Sequence, residues 1–159
     1  SVETSMYIGG KWVMVSSKFD GILYDAGDRY DEWNADASVG TEISWRPTLH
    51  AITKAVGGIG IFYTENKVLI DGFTTLHVNG ETGAGGYTVC VTSEPPAAGK
   101  VSSVLASKFI SYNSGKSHEL DVSAISEGYV VLYCGVGGDA TFTFNFDVSK
   151  VWLTRGGTQ

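Results

Sequence analysis

Residues 140–153 read A-T-F-T-F-N-F-D-V-S-K-V-W-L, with Phe142, Phe144 and Phe146 alternating against Thr141, Thr143 and Asn145. Alternation at period two, built from aromatic and β-branched residues, is the pattern of a strand with one buried face. No stretch of the chain shows a comparable pattern at helical spacing. The segment therefore predicts an all-β protein and sends the three phenylalanines into a core. Ser149 and Lys150, late in the run, mark a bulge or a change of sheet.

Shorter runs of the same kind fill the rest of the chain. Tyr7-Ile8 and residues 11–15 flank Gly9-Gly10, a two-residue hairpin signal. Strands are expected over 21–24, 43–45, 49–56 (split from the one before by Pro47), 59–63, 67–70, 73–79, 87–93, 101–109, 117–122 and 129–136. Turns are expected at Asn79-Gly80, at 112–115 and at Gly137-Gly138-Asp139. Residues 94–99, E-P-P-A-A-G, form a loop because Pro-Pro cannot continue a ladder. Residues 25–40 read as a polar, acidic loop around Trp33. Short strands broken this regularly predict a two-sheet antiparallel, jelly-roll-like β-sandwich. The organisation expected is an N-terminal hairpin and connector (1–19), the sandwich (20–155) and a short tail (156–159). The hairpin is too small to fold alone and reads as a connector to something upstream in a longer protein.

Composition narrows the function classes. At 159 residues the chain can bury a core as one domain, and 43% hydrophobic with 18% charged residues is globular rather than disordered. The 21 glycines against 3 prolines fit many tight turns. A net charge of -6 argues against nucleic acid and anionic membrane surfaces, which need a basic stripe. No apolar run approaches the ~20 residues of a membrane helix. The first residues show neither a basic nor an apolar signal region. Cys90 and Cys134 both sit inside apolar strand runs. A disulfide between adjacent strands is one reading; buried free thiols are the expectation, because free cysteine behaves as a core residue.

Catalytic signatures are missing. Asn113-Ser114-Gly115-Lys116-Ser117 ends like a phosphate-binding loop, but Ile110 stands where the first glycine belongs and a strand follows, so it reads as a hairpin turn. His50, His77 and His118 are scattered, and His118 and Glu119 point to opposite faces of a strand. A non-enzymatic protein is expected.

Two constellations carry binding chemistry. Asp25, Asp28, Asp31, Glu32 and Asp36 crowd one loop, and hard oxygen ligands suit calcium. Asp25 and Asp28, with a distant carboxylate such as Asp147, are the candidate structural calcium ligands, against the reading of a solvated acidic loop. The same carboxylates sit in one loop rather than on opposed strands, which is poor geometry for a glycosidase. The second constellation is aromatic. A sugar ring stacks its C–H face on an aromatic side chain while its hydroxyls need polar partners at the edge. Trp33 with Arg29, Asp31, Glu32 and Asn34 supplies both, and Trp45, Tyr63 and Tyr112 are further candidates. The competing reading folds Trp33 back as a lid on the core. Trp12 and Trp152, each inside an apolar strand, read as packing residues.

Several segments together resemble the carbohydrate-binding-module-like β-sandwich of tail proteins in phages and prophages of Gram-positive bacteria. They are I-L-Y-D-A-G-D (22–28) followed by Trp33, V-L-I-D-G-F-T-T-L-H-V (68–78), H-E-L-D-V-S-A-I-S-E-G-Y-V-V-L (118–132) and F-N-F-D-V-S-K-V-W-L (144–153). Y-I-G-G-K-W-V (7–13) is similar to the short β element that precedes such modules. The resemblance covers about 21–153; where that family has Gly-Gly before the loop tryptophan, this chain has Asp31-Glu32. It implies a jelly-roll sandwich, non-catalytic, carried on a virion tail assembled in the host cytoplasm, recognising host cell-surface glycans. It also implies reduced cysteines and a homo-trimeric setting. A structural or oligomerisation module without ligand, and an accessory domain of a secreted glycosidase, are the alternatives.

Overall fold

The computed structural model describes residues 3–16, 19–135 and 142–156. The strands are β1 (Glu3–Ile8), β2 (Lys11–Ser16), β3 (Ile22–Asp25), β4 (Trp33–Ala37), β5 (Thr41–Ser44), β6 (Leu49–Thr53), β7 (Gly60–Thr64), β8 (Val68–Leu69), β9 (Thr75–Thr82), β10 (Gly86–Thr92), β11 (Val104–Ser111), β12 (Ser117–Asp121), β13 (Glu127–Cys134) and β14 (Phe144–Thr154). One 3-10 turn, Tyr30–Glu32, precedes β4. Among the described residues no helix is long and apolar enough to cross a membrane. The predicted turn at 137–139, the tail beyond residue 156 and the packing of the Trp12 side chain lie outside what is described.

Two antiparallel sheets make the sandwich. The first runs β12-β9-β14-β6-β5, with β3 also on β14; the second runs β11-β10-β13-β7-β4, with β8 on the start of β13. The β1–β2 hairpin belongs to neither. The all-β, two-sheet architecture is the one the sequence predicts.

The closing strand β14 shows why the phenylalanines alternate with polar residues. Phe144 and Phe146 are buried, and Phe142 packs against the same core. Phe146 meets Tyr87 from the opposite sheet at 5.0 Å and Phe62 at 6.1 Å, and Trp45 stands edge-on to Phe62 at 5.5 Å. These rings cross from one sheet to the other and fix the layer spacing. The expected bulge is present between Val148 and Lys150. Before it β14 pairs with β6; after it, with β3; β9 stays alongside throughout. The Ser149 carbonyl, freed by the bulge, accepts the Ala26 N–H at 2.8 Å.

Two expectations are corrected. Asn79-Gly80 is no turn, because β9 continues to Thr82. Gly80 lies opposite Val148 at the bulge, where a Cβ would stand 3.0 Å from the Asp147 carbonyl oxygen, so the glycine serves a close approach of two backbones. The polar loop over 25–40 contains β4. Asn34, Ala35, Asp36 and Ala37 have weak strand propensity; tertiary pairing with β7 imposes the conformation.

Candidate functional site

β4 decides the fate of the predicted tryptophan. Strand alternation sends residues 33 and 35 inward and 34 and 36 outward. Trp33 is 4% exposed. Its Nε1–H donates to the Leu23 carbonyl at 2.9 Å, and its ring meets Tyr24 edge-on at 6.5 Å. Trp33 is thus the lid on the core, and its ring offers no open face for stacking.

The rest of that constellation scatters. Arg29, in a left-handed conformation, donates to the Ile22 carbonyl, pairs with Asp20 and Glu32 at 3.8 and 3.9 Å, and lies over Phe19. It ties the chain between β3 and β4 together. Asp31 is exposed on the same turn. Trp45 packs on Phe62, and its carbonyl accepts the Tyr24 hydroxyl at 2.6 Å. Tyr112 is exposed in the turn between β11 and β12.

The three carboxylates considered for calcium do not converge. Asp25 and Asp28 close a turn through their backbones. Asp147 accepts hydrogen bonds from His50 Nδ1 at 2.7 Å and Thr48 Oγ1 at 2.9 Å. Among the described residues no three His, Cys, Asp or Glu side chains come together as a metal site. The trio does not fit a calcium cage.

A different surface gathers binding groups: the outer face of the second sheet. Its register sets two cross-strand rows side by side. One reads Asn34, Tyr63, Val131, Cys90, Ser107; the next reads Asp36, Ile61, Tyr133, Thr88, Phe109. Tyr129 and Thr92 pair one step further along. Ile61, Cys90 and Val131 are fully buried as a small outer core, and Tyr63, Tyr129, Tyr133, Ile59 and Val101 pack against it half-exposed. Burial pushes the Tyr133 hydroxyl above its ordinary pKa while a hydrogen bond with Thr88 pulls the other way.

What closes this outer core is the connection between β10 and β11. Its base is joined by the Ser93 N–H to the Ser103 carbonyl at 2.9 Å, and Thr92 Oγ1 donates to the Glu94 carbonyl at 2.6 Å. Its tip is a turn with Ala97 and Lys100 bonded reciprocally at 3.1 and 3.0 Å. The Gly99 N–H donates to Asp36 Oδ2 at 2.7 Å. Asp36 stands on β4, the opposite edge of the sheet, so this strap crosses β13 and β7 over the outer face. Val101 is the strap's contact with the buried residues beneath.

The outer face of the first sheet is different. His77 lies parallel to Trp152 at 4.8 Å, Lys150 stands 4.7 Å from the same ring, and His77 also meets Thr154 and Glu119. That ring is half-buried, with His77 and Lys150 already against it.

Of the predicted residues, then, the structure unites Asn34 and Tyr63 on one face and leaves the others apart. Sequence reasoning misses Tyr129, Tyr133, Thr88 and Phe109, and it finds Asp36 only as one of the acidic residues of the 25–40 loop. Tyr129, Val131 and Tyr133 recur at every second residue, which is a readable signal. It is blurred because β13 is central and buried on both faces, so Val130, Leu132 and Cys134 turn the alternation into an unbroken apolar run.

No protein-family model matches the sequence, and no curated protein matches it. Solved structures do match in three dimensions. A family 11 carbohydrate-binding module of the cellulosomal cellulase Lic26A-Cel5E of Clostridium thermocellum superposes with a TM-score of 0.55 at 12% identity, over 91% of this chain and 99% of that one. The chain shares the two-sheet β-sandwich fold of that module. A family 29 module from Piromyces equi gives a TM-score of 0.53 at 12% identity, over 84% and 88% of the two chains. The family 11 module in complex with a β-1,3-1,4-mixed-linked tetrasaccharide gives 0.54 at 11% identity, over 87% and 97%.

Proposed function

We propose that this chain is a non-catalytic glycan-binding module and that its site is the outer face of the β11-β10-β13-β7-β4 sheet. The observation that carries the reading is the placement of Tyr63, Tyr129 and Tyr133 on adjacent strands of one face, with Asn34 and Thr88 beside them. Ring faces supply the apolar stacking surface for sugar C–H groups, and the amide and hydroxyl supply edge contacts. The fold shared with carbohydrate-binding modules supports the same reading. The only carboxylate in the two rows, Asp36, is engaged by a backbone N–H, which leaves no acid–base pair there for hydrolysis. The negative net charge suits a neutral saccharide.

The finer reading follows the sequence resemblance: a module of a phage tail, displayed on the virion and recognising glycans of a Gram-positive host. A broad glycan array, with Gram-positive cell-wall polysaccharides included, tests both levels. Binding is expected for the wild type, with at least about a tenfold loss for Tyr133→Ala or Tyr63→Ala, because truncating a central aromatic hot spot costs about 2 kcal/mol or more and tenfold is about 1.4 kcal/mol. Unchanged binding in both variants would move the site elsewhere.

A structural role has one observation in its favour. Edge strand β11 exposes Val104, Leu105 and Phe109, with Tyr112 just beyond. A blank array together with a trimer in solution would put the module's purpose in assembly, with that edge as the contact.

A further inference from the structure

The strap over 93–103 has a second character besides being a connection. It leaves the sheet at β10, crosses two strands and is fastened at the far edge by one side-chain hydrogen bond, Gly99 N–H to Asp36 Oδ2 at 2.7 Å. Within it Ala98 and Ser103 hold φ values of +51° and +56°, a conformation that L side chains avoid. Glu94, Pro95, Ala97, Ala98 and Lys100 are exposed, and Pro96 between them is buried. Beneath it the residues are the reverse: Ile61, Cys90 and Val131 are at 0% exposure on what would otherwise be the open face of the sheet. A segment with a largely exposed exterior, two strained residues and one side-chain hydrogen bond at its far end, held otherwise by Pro96 and Val101, has the features of a locally opening unit.

We propose that residues 93–103 are a gate over the tyrosine face, latched by Asp36, and that the gate swings off the sheet to let a saccharide ring reach the Ile61–Cys90–Val131 floor between Tyr63, Tyr129 and Tyr133. The proposal rests on reading that face as the glycan site and adds its regulation. The closed strap masks the face and the ligand competes with Val101 for the floor. Asp36 is a positioning residue: it sets the population of the open form and so scales affinity by the open fraction.

The chain carries its own reporter. Cys90 lies under the gate on the outer face, whereas Cys134, four positions beyond Val130 on the inward side of β13, lies in the main core. Burial pushes the Cys90 thiol up to about 12 in the closed form, so alkylation near neutral pH reads the opened one. The experiment is alkylation of the native full chain by iodoacetamide, with each cysteine followed by peptide mass spectrometry, in the wild type and in Asp36→Ala. Loss of a hydrogen bond to a charged acceptor shifts an opening equilibrium by roughly ten- to a hundredfold. Cys90 is therefore expected to label at least about tenfold faster in Asp36→Ala, while Cys134 keeps its slow rate. In the wild type alone, Cys90 labelling should change little with low urea, as local opening does, while Cys134 labelling should rise with global unfolding. This second measurement decides the matter even where Asp36→Ala fails to fold. Equal labelling of both cysteines, with the same urea dependence, would overturn the gate. A blank glycan array would overturn the assignment of the face and leave the labelling result standing, so the two failures are separable.

Discussion

Trp33 and Asn34 are chain neighbours that β4 sends to opposite faces, and their contrast fixes what single residues do here. Trp33 is hydrogen-bonded and ring-packed inside, so Trp33→Ala should lower the unfolding free energy by about 3–5 kcal/mol, the usual range for a large buried ring. Urea denaturation measures it, and a loss below about 1 kcal/mol would put the ring at the surface. Phe144→Ala should cost a similar amount, about 3–5 kcal/mol. The phenylalanines are legible from sequence because they alternate with polar partners on a strand of high propensity. Trp33 is not, because Asn34, Ala35, Asp36 and Ala37 look like loop and the strand exists only through pairing with β7. The thiols follow the same logic of faces. Cys90 points outward and Cys134 inward on adjoining strands, so they cannot bridge, and both are free in the structure. Thiol titration after denaturation without reductant should recover both; recovery of neither would contradict their placement.

At the scale of elements, β14 organises the first sheet and the strap organises the second. The bulge in β14 is foreshadowed by Ser149-Lys150, since a break in an apolar alternation is a sequence feature. The exchange of β6 for β3 at that bulge is not, because it depends on which strands arrive there. The β3 junction is tight: Gly21 has φ +89°, and a Cβ on it would stand 2.3 Å from the Leu153 carbonyl oxygen. Gly21→Ala should therefore lower stability by at least about 1–2 kcal/mol from the left-handed backbone alone, with the clash in addition. An unchanged denaturation midpoint would show that β3 does not dock as described. The loop over 94–99 is legible from Pro95-Pro96, but its far end is fixed by a hydrogen bond between residues 63 positions apart in sequence, Gly99 to Asp36. No local pattern encodes such a contact.

For the whole molecule, burial shapes the alkaline limit of stability. Burial raises Cys90 from 9.0 to about 12 and Tyr24 from 10.0 to about 12 in the native state, with a hydrogen bond from Gly27 and the charge of Arg46 opposing the shift at Tyr24. The unfolded chain releases these protons at lower pH than the folded one. Native protein then holds more protons, and stability falls as pH rises from about 9 through about 12. Melting temperature against pH should be level below about pH 8 and decline above about 9. A level profile to pH 11 would contradict the burial of these groups. The two-sheet sandwich itself was readable from strand patterning. The face that carries the tyrosines was not, since it is assembled from five strands whose order no single segment announces.

The central claim is that saccharides bind on the outer face of the β11-β10-β13-β7-β4 sheet. The most direct test is amide chemical-shift mapping of the isotope-labelled chain, titrated with the best array ligand. Saturating shifts are expected to concentrate at Asn34, Tyr63, Thr88, Cys90, Tyr129, Tyr133 and the strap 93–103, with the turn at Tyr30–Glu32 and the His77–Trp152 face unmoved. Shifts confined to that turn or to the His77–Trp152 face would contradict the claim.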